Sequence, residues 1–190
     1  MRMFAAVVPP EDVLEGLEEF LAPRREAAPF RWTLPEQWHL TLAFMAKVPD
    51  RSLDDLLERM ARAGGRRAPF TLRLAGGGTF PNPARAKVLY AGVHGEPEAV
   101  EELHRLSTGA RAAANRAGAE AEGGPFRPHL TLARMKRPVE ATRWLRVFEG
   151  YESREFEVTG FVLIESHLGE GPSNRPRYAE VARFPIGPKG

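Results

Sequence analysis

Leu34–Phe44, LPEQWHLTLAF, and Phe126–Arg134, FRPHLTLAR, share the tetrapeptide HLTL, which begins at His39 and again at His129 in a chain of 190 residues. Each copy alternates as a half-buried strand does: in the first, Leu40 and Leu42 point one way while His39, Thr41 and Ala43 point the other. A single H-x-T in a strand is weak evidence of chemistry. Two identical copies are stronger, because duplication alone does not explain a polar pair standing on a hydrophobic strand in both halves.

Outward from each copy, the same order of elements recurs. Before the first lie an apolar run, Met3–Val8, stopped by Pro9-Pro10, and a helical pattern from Glu11 to about Pro23. After it, Asp50 and Ser52 are N-cap candidates for a helix using Leu53, Leu56, Leu57 and Met60, ended by Gly64-Gly65. Phe70–Leu74 reads as a strand, with Gly76–Gly78 and Pro81-Asn82-Pro83 as turn or bulge chemistry.

In the second half, Lys87–Val93 is a strand and a helix begins near Pro97. That helix fades after Leu106 into an Ala-, Arg- and Gly-rich stretch, Gly109–Gly124, which reads as a mobile loop. The second HLTL strand follows, then a helix over about Pro138–Phe148. A long strand over Glu155–Ser166 with a bulge at Gly160 precedes a closing strand, Tyr178–Phe184. The reading is an α+β chain: residues 1–190 as one internally duplicated domain of two similar lobes with mainly antiparallel sheets.

Composition narrows the chemistry. Cysteine is absent, which excludes disulfides, a thiolate nucleophile, iron–sulfur ligation and cysteine-type zinc sites. With 27 basic and 25 acidic side chains the formal charge is +2, too small for a bulk polycation that coats nucleic acid. Most of the basic residues are Arg, suited to planar contacts with phosphate at a local site. No apolar run is long enough to span a membrane, and the first twenty residues lack the apolar core of a secretory signal. A cytoplasmic address is the expectation.

His39 and Thr41 emerge on one face of their strand, as do His129 and Thr131. Two such strands facing each other across a groove would set two imidazoles and two hydroxyls around one point. Phosphodiester cleavage needs such a set: a base for the attacking oxygen, an acid for the leaving oxygen opposite, and donors for the non-bridging oxygens. No metal or other cofactor is required. Arg134, just past Ala133, is placed on the face of His129 and Thr131, where it would add a charge-assisted contact to phosphate.

The residues around both repeats resemble the two-histidine phosphoesterase superfamily and, within it, the bacterial and archaeal RNA 2′,3′-cyclic phosphodiesterases, long called 2′-5′ RNA ligases. The resemblance covers almost the whole chain: RMFAAVVPP from Arg2, LPEQWHLTLAF, GTFPNPARAKVLYAGV from Gly78, FRPHLTLAR, LIES from Leu163, and RYAEVARFPI from Arg177. It implies a bilobal fold, two sheets flanked by helices, with the H-x-T-x strands lining a central cleft. It implies that His39 protonates the leaving 3′ oxygen of a 2′,3′-cyclic phosphate at an RNA end. By the same resemblance His129 activates water to leave a 2′-phosphate, while Thr41, Thr131 and Arg134 hold the phosphate. Met45-Ala46 departs from the Leu-Gly frequent in the family and bears on loop geometry rather than chemistry. The family's older name adds an ATP-independent, reversible 2′-5′ ligation. A non-catalytic module that captures RNA ends is the reading from another class.

Phe80 and Phe126, in loops near the expected cleft, are candidates for stacking on a base, as is Trp38, with core packing the competing role. Arg31, Arg85 and above all Arg127, beside the second motif, would form a positive rim. His94, His104 and His167 lack a Thr two residues on and read as packing or surface groups. Gly76–Gly78 lacks the Lys-Ser/Thr of a phosphate loop and suits a bulge or a close backbone approach. No membrane and no obligate protein partner is expected, and nothing in the pattern demands more than a monomer.

Overall fold

The computed structural model describes residues 1–188. In chain order the elements are β1 (Met3–Val7), α1 (Glu11–Arg25), β2 (Arg31–Trp32), β3 (Leu40–Met45), α2 (Leu53–Gly65), β4 (Phe70–Phe80) and β5 (Ala86–His94). There follow α3 (Pro97–Arg116), β6 (His129–Val139), α4 (Thr142–Phe148), β7 (Phe156–Val158), β8 (Gly160–His167) and β9 (Arg177–Pro185). The fold is α+β, and the strands form one antiparallel path, β7-β4-β5-β6-β3-β1-β8-β9.

That path is two four-stranded halves, β7-β4-β5-β6 and β3-β1-β8-β9, meeting at a single partnered pair, Leu40↔Leu130. Past it β3 and β6 diverge, and the short β2 takes over the edge of β6 by pairing Trp32 with Ala133. The halves of the sequence do not map onto the halves of the sheet. β4, the last element of the first run, pairs β5 of the second; β8, its counterpart, pairs β1 of the first. Each run therefore donates its last strand to the other.

Both HLTL strands break their alternation at the second Leu. Ala6 pairs Thr41 while Ala5 pairs Ala43, so Leu42 is an extra residue; Tyr90 pairs Thr131 while Leu89 pairs Ala133, so Leu132 is another. These are β-bulges, and each moves the following residues to the opposite face. Ala43, assigned by period two to the polar face, is buried, as is Ala133, and the residues that emerge there are Phe44 and Arg134. A bulged residue loses its ladder partner, and both freed carbonyls are answered from outside: Leu42 by the Ser107 hydroxyl of α3 at 2.6 Å, Leu132 by the Thr33 amide at 2.8 Å.

The remaining differences from the sequence reading have local causes. Gly109–Gly124 is not a loop from its start: α3 runs to Arg116 because Ala110, Ala113 and Ala114 are small enough to bury against its neighbours. Pro138 and Val139 extend β6, so α4 begins only at Thr142. Glu155–Ser166 is not one strand. It divides at Thr159, and β7 joins the β4 edge while β8 joins β1. Ser52 makes no side-chain cap; Asp50–Ser52 is a 3₁₀ turn leading into α2. Phe70–Leu74 continues through a bulge at Gly76, whose φ of 66° suits glycine, to Phe80. No helix among the described residues is long and apolar enough to cross a membrane.

Leu40, Leu42, Leu130 and Leu132 are all buried and anchor both motif strands in one continuous core with α2 and α3. The opposite face of the sheet is left for the polar pairs.

Candidate active site

The pair Leu40↔Leu130 in an antiparallel register sets His39 level with Thr131 and Thr41 level with His129. The two imidazoles thus occupy one diagonal of a four-cornered arrangement, and the two hydroxyls occupy the other. All four line one cavity of about 390 Å³ between the diverging strands. Arg134 lines it too, brought to that face by the bulge at Leu132; strict alternation would have presented Ala133.

The two His are held alike. Nδ1 of His39 donates to the Gln37 carbonyl at 2.7 Å, and Nδ1 of His129 donates to the Arg127 carbonyl at 2.7 Å. A carbonyl can only accept, so each Nδ1 carries its proton and each Nε2 is the nitrogen left to accept one. His39 Nε2 lies 2.9 Å from the Thr41 hydroxyl. His129 Nε2 has no hydrogen-bond partner among the described residues.

Aromatic rings clamp both imidazoles. Phe4 stacks on His39 with centroids 4.5 Å apart, and Tyr178 meets it edge-on at 5.8 Å. Phe80 meets His129 edge-on at 4.9 Å, with Tyr90 at 5.3 Å. Tyr90 lies directly over Gly78, where any Cβ would run into its ring; the glycine run supplies a close approach as well as a bulge.

Burial lowers both pKa values. For His39 desolvation is the main cause, opposed by the Gln37 carbonyl and reinforced by the charges of His129 and Arg134, which bring it to about 4. For His129 desolvation again leads, opposed by the Arg127 carbonyl and reinforced by Arg134. The unliganded site at neutral pH therefore holds two neutral imidazoles. Two guanidiniums, Arg2 and Arg134, line the cavity, and among the described residues no carboxylate does. Such a site favours an anion, and an anion between the imidazoles would in turn favour a proton on one of them.

Beside this cavity runs a more open groove of about 710 Å³ that shares Thr41, Phe44 and His129 with it. Phe80, Phe126 and Arg127 line the groove rather than the cavity, and Phe126 also packs edge-on against His104 at 5.0 Å. Trp38 is a core residue, 1% exposed. Arg31 donates to the Asn174 carbonyl at 2.9 Å. His94 meets the Ala75 carbonyl at 3.1 Å, and His167 sits between Glu165 and Glu170. Among the described residues no group of three His, Asp or Glu is placed to hold a metal ion.

Among the cavity residues that motif reading missed are Arg2, Phe4, Phe44 and Tyr178. The period-two spacing of Arg2 and Phe4 on the edge of β1 was a usable signal. Phe44 was hidden by the bulge, and Tyr178 by its distance along the chain.

Similar proteins agree in size and shape. The RNA 2′,3′-cyclic phosphodiesterase of Thermus thermophilus is 37% identical over 98% of this chain and 90% of its own length. The crystal structure of TT0787 from Thermus thermophilus superposes with a TM-score of 0.80 at 32% identity, covering the whole of both chains. The crystal structure of E. coli LigT complexed with 3′-AMP does so at 0.74 and 26% identity, over 97% of each. The model of the 2′-5′ RNA ligase superfamily matches residues 9–170, and the chain belongs to that superfamily.

Proposed function

We propose that this chain is an RNA 2′,3′-cyclic phosphodiesterase that opens 2′,3′-cyclic phosphate RNA ends to 2′-phosphates by histidine acid–base chemistry. The observation that carries the reading is the diagonal placement of His39 and His129 about the Leu40–Leu130 pair. A phosphorus atom at the centre of that arrangement has an imidazole on each side, as in-line displacement requires. His129, whose Nε2 is free and whose pKa is lowered, takes the proton from water as it attacks phosphorus. The P–O3′ bond breaks, and His39 delivers its proton to O3′. His39 acquires that proton when the phosphate anion binds and offsets the desolvation that keeps the ring neutral in the free site. Thr41, Thr131 and Arg134 donate to the non-bridging oxygens, where charge is greatest in the transition state. All protons and oxygens of this step are supplied by the two His, the water and the substrate.

A second reading is favoured by the groove beside His129. A water molecule does not need Phe80, Phe126 and Arg127, but the 5′-terminal nucleoside of another RNA does. With its 5′-hydroxyl in the place of water, the same step run on that oxygen joins two RNAs by a 2′-5′ bond without ATP. Residues 1–190 act in this reading as one domain of two related lobes, a single chain sufficing for the site, and in the cytoplasm.

Turnover of adenosine 2′,3′-cyclic phosphate and of an end-labelled RNA carrying the same terminus tests the proposal. A 2′-phosphate product supports it. Tight binding of the RNA end without turnover would leave a capture module in its place.

A further inference from the structure

The bulges place Phe44 and Arg134 at matching positions of the two motif strands, five residues after His39 and His129. On the β6 side the strand itself supplies a guanidinium. On the β3 side it supplies an aromatic ring, and a guanidinium arrives from the neighbouring chain start: Arg2 lies over Phe44, 4.3 Å from its centroid. The Arg2 Nε is buried and has no hydrogen-bond partner among the described residues. Both Arg2 and Arg134 act electrostatically on Tyr178, so both guanidiniums lie near one wall of the cavity.

One cyclic phosphate carries one negative charge, which Arg134 already faces. A second guanidinium in a cavity without a carboxylate calls for a second anion. We propose that Arg2, resting on Phe44, binds the phosphate on the 5′ oxygen of the reacting nucleotide, so that the enzyme distinguishes an RNA end from a free cyclic nucleoside phosphate. The inference rests on the phosphodiesterase reading, in which O3′ leaves toward His39 and the ribose therefore lies in the cavity walled by Phe4, Phe44 and Tyr178. The next phosphate along the strand then falls on the β1 side of that wall. Stacking on Phe44 fixes the guanidinium plane, and its buried Nε leaves the terminal nitrogens as the natural donors.

The experiment compares four substrates with a 2′,3′-cyclic phosphate: adenosine bearing a 5′-hydroxyl, adenosine bearing a 5′-phosphate, the ApA dinucleotide, and ApA with an uncharged methylphosphonate linkage. The wild type should use the dinucleotide with a kcat/KM about tenfold or more above the 5′-hydroxyl nucleoside. The methylphosphonate should lose that gain although it fills the same space. The 5′-phosphate arm tells a terminal phosphate from an internal diester: whichever charged substrate carries the gain is the natural source. Arg2→Gln should collapse the ratio of dinucleotide to nucleoside, and Arg2→Lys should retain part of it. A methylphosphonate as good as the native linkage, or an unchanged ratio in Arg2→Gln, overturns the proposal. Affinities of the corresponding 2′-phosphate products, measured by calorimetry, give the same comparison without turnover. Absence of turnover on every substrate would overturn the phosphodiesterase reading, while the product affinities still decide on Arg2.

Discussion

The hydroxyl of Ser107, on α3, donates to the carbonyl of Leu42 at 2.6 Å, and both groups are buried. Leu42 is the bulged residue that turns Phe44 toward the cavity, so a helix side chain holds the kink on which one wall of the site depends. Ser107→Ala leaves a buried carbonyl without a partner and should cost about 1–3 kcal/mol in chemical denaturation. Ser107→Thr, which keeps the hydroxyl, separates loss of the bond from loss of the bulge. Ser107→Ala with wild-type stability would show that the carbonyl is answered in another way.

A pH profile reports the two imidazoles. In the proposed step the productive form of the free enzyme has a proton on His39, whose pKa is about 4, and none on His129, whose pKa lies below its ordinary 6.5. The optimum of kcat/KM should therefore lie between about 4 and 6.5, falling tenfold per unit on the alkaline side. A bound phosphate anion raises the His39 pKa, so the alkaline limb of kcat should lie at higher pH than that of kcat/KM. An optimum for kcat/KM above pH 7 would contradict the assignment.

Stability carries the same signature. A His whose folded pKa is depressed favours the neutral form; its contribution is complete above 6.5 and is lost as pH falls from 6.5 toward 4. For His39 the whole span from 6.5 to about 4 corresponds to at most roughly 3 kcal/mol, less what solvent screens. Between pH 7 and pH 4.5 the wild type should lose more denaturation free energy than His39→Gln. Equal losses would mean that the ring is not desolvated in solution.

Replacing either imidazole separates the roles. His39→Ala and His129→Ala should each lower kcat on a 2′,3′-cyclic phosphate by about 10²–10⁴-fold with the circular dichroism spectrum retained. Near wild-type turnover in either variant rejects the acid–base pair.

Chelation is a further check, because two imidazoles, two hydroxyls and a guanidinium account for every proton and charge in the proposed step. Activity should be unchanged after dialysis against EDTA. Loss with EDTA and recovery with added manganese or zinc would require a metal in the step.

What could be read beforehand followed from period. The motif strands, the helical spacing of α2 and the turn chemistry of Gly76–Gly78 are local signals, and element types emerge from such signals. What escaped was non-local. Alternation cannot register an extra residue, so it puts Ala43 on the polar face, and only the pairing with β1 carries the bulge that buries Ala43 and brings Phe44 out. Ala-rich sequence after Leu106 looks weak on its own, and becomes helix because the fold supplies a surface that accepts alanine. The division of Glu155–Ser166 between opposite edges of the sheet is a matter of partners, which a strand pattern does not name. Arg2 and Tyr178 belong to the cavity because β1 and β9 share a half-sheet with β3, a consequence of topology alone.

The reciprocal pairing of β4 with β5 and β8 with β1 is the layout of a strand-swapped dimer drawn in one polypeptide. In two identical subunits every residue of one wall would be repeated on the other, and both imidazoles would have the same surroundings and the same proton affinity. A single polypeptide is free of that constraint. Phe44 can face Arg134, Phe4 can stack on one ring while Phe80 meets the other edge-on, and the two histidines need no longer be interchangeable. A single polypeptide thus permits the unlike roles proposed for the two imidazoles, although the motif strands that carry them are nearly alike.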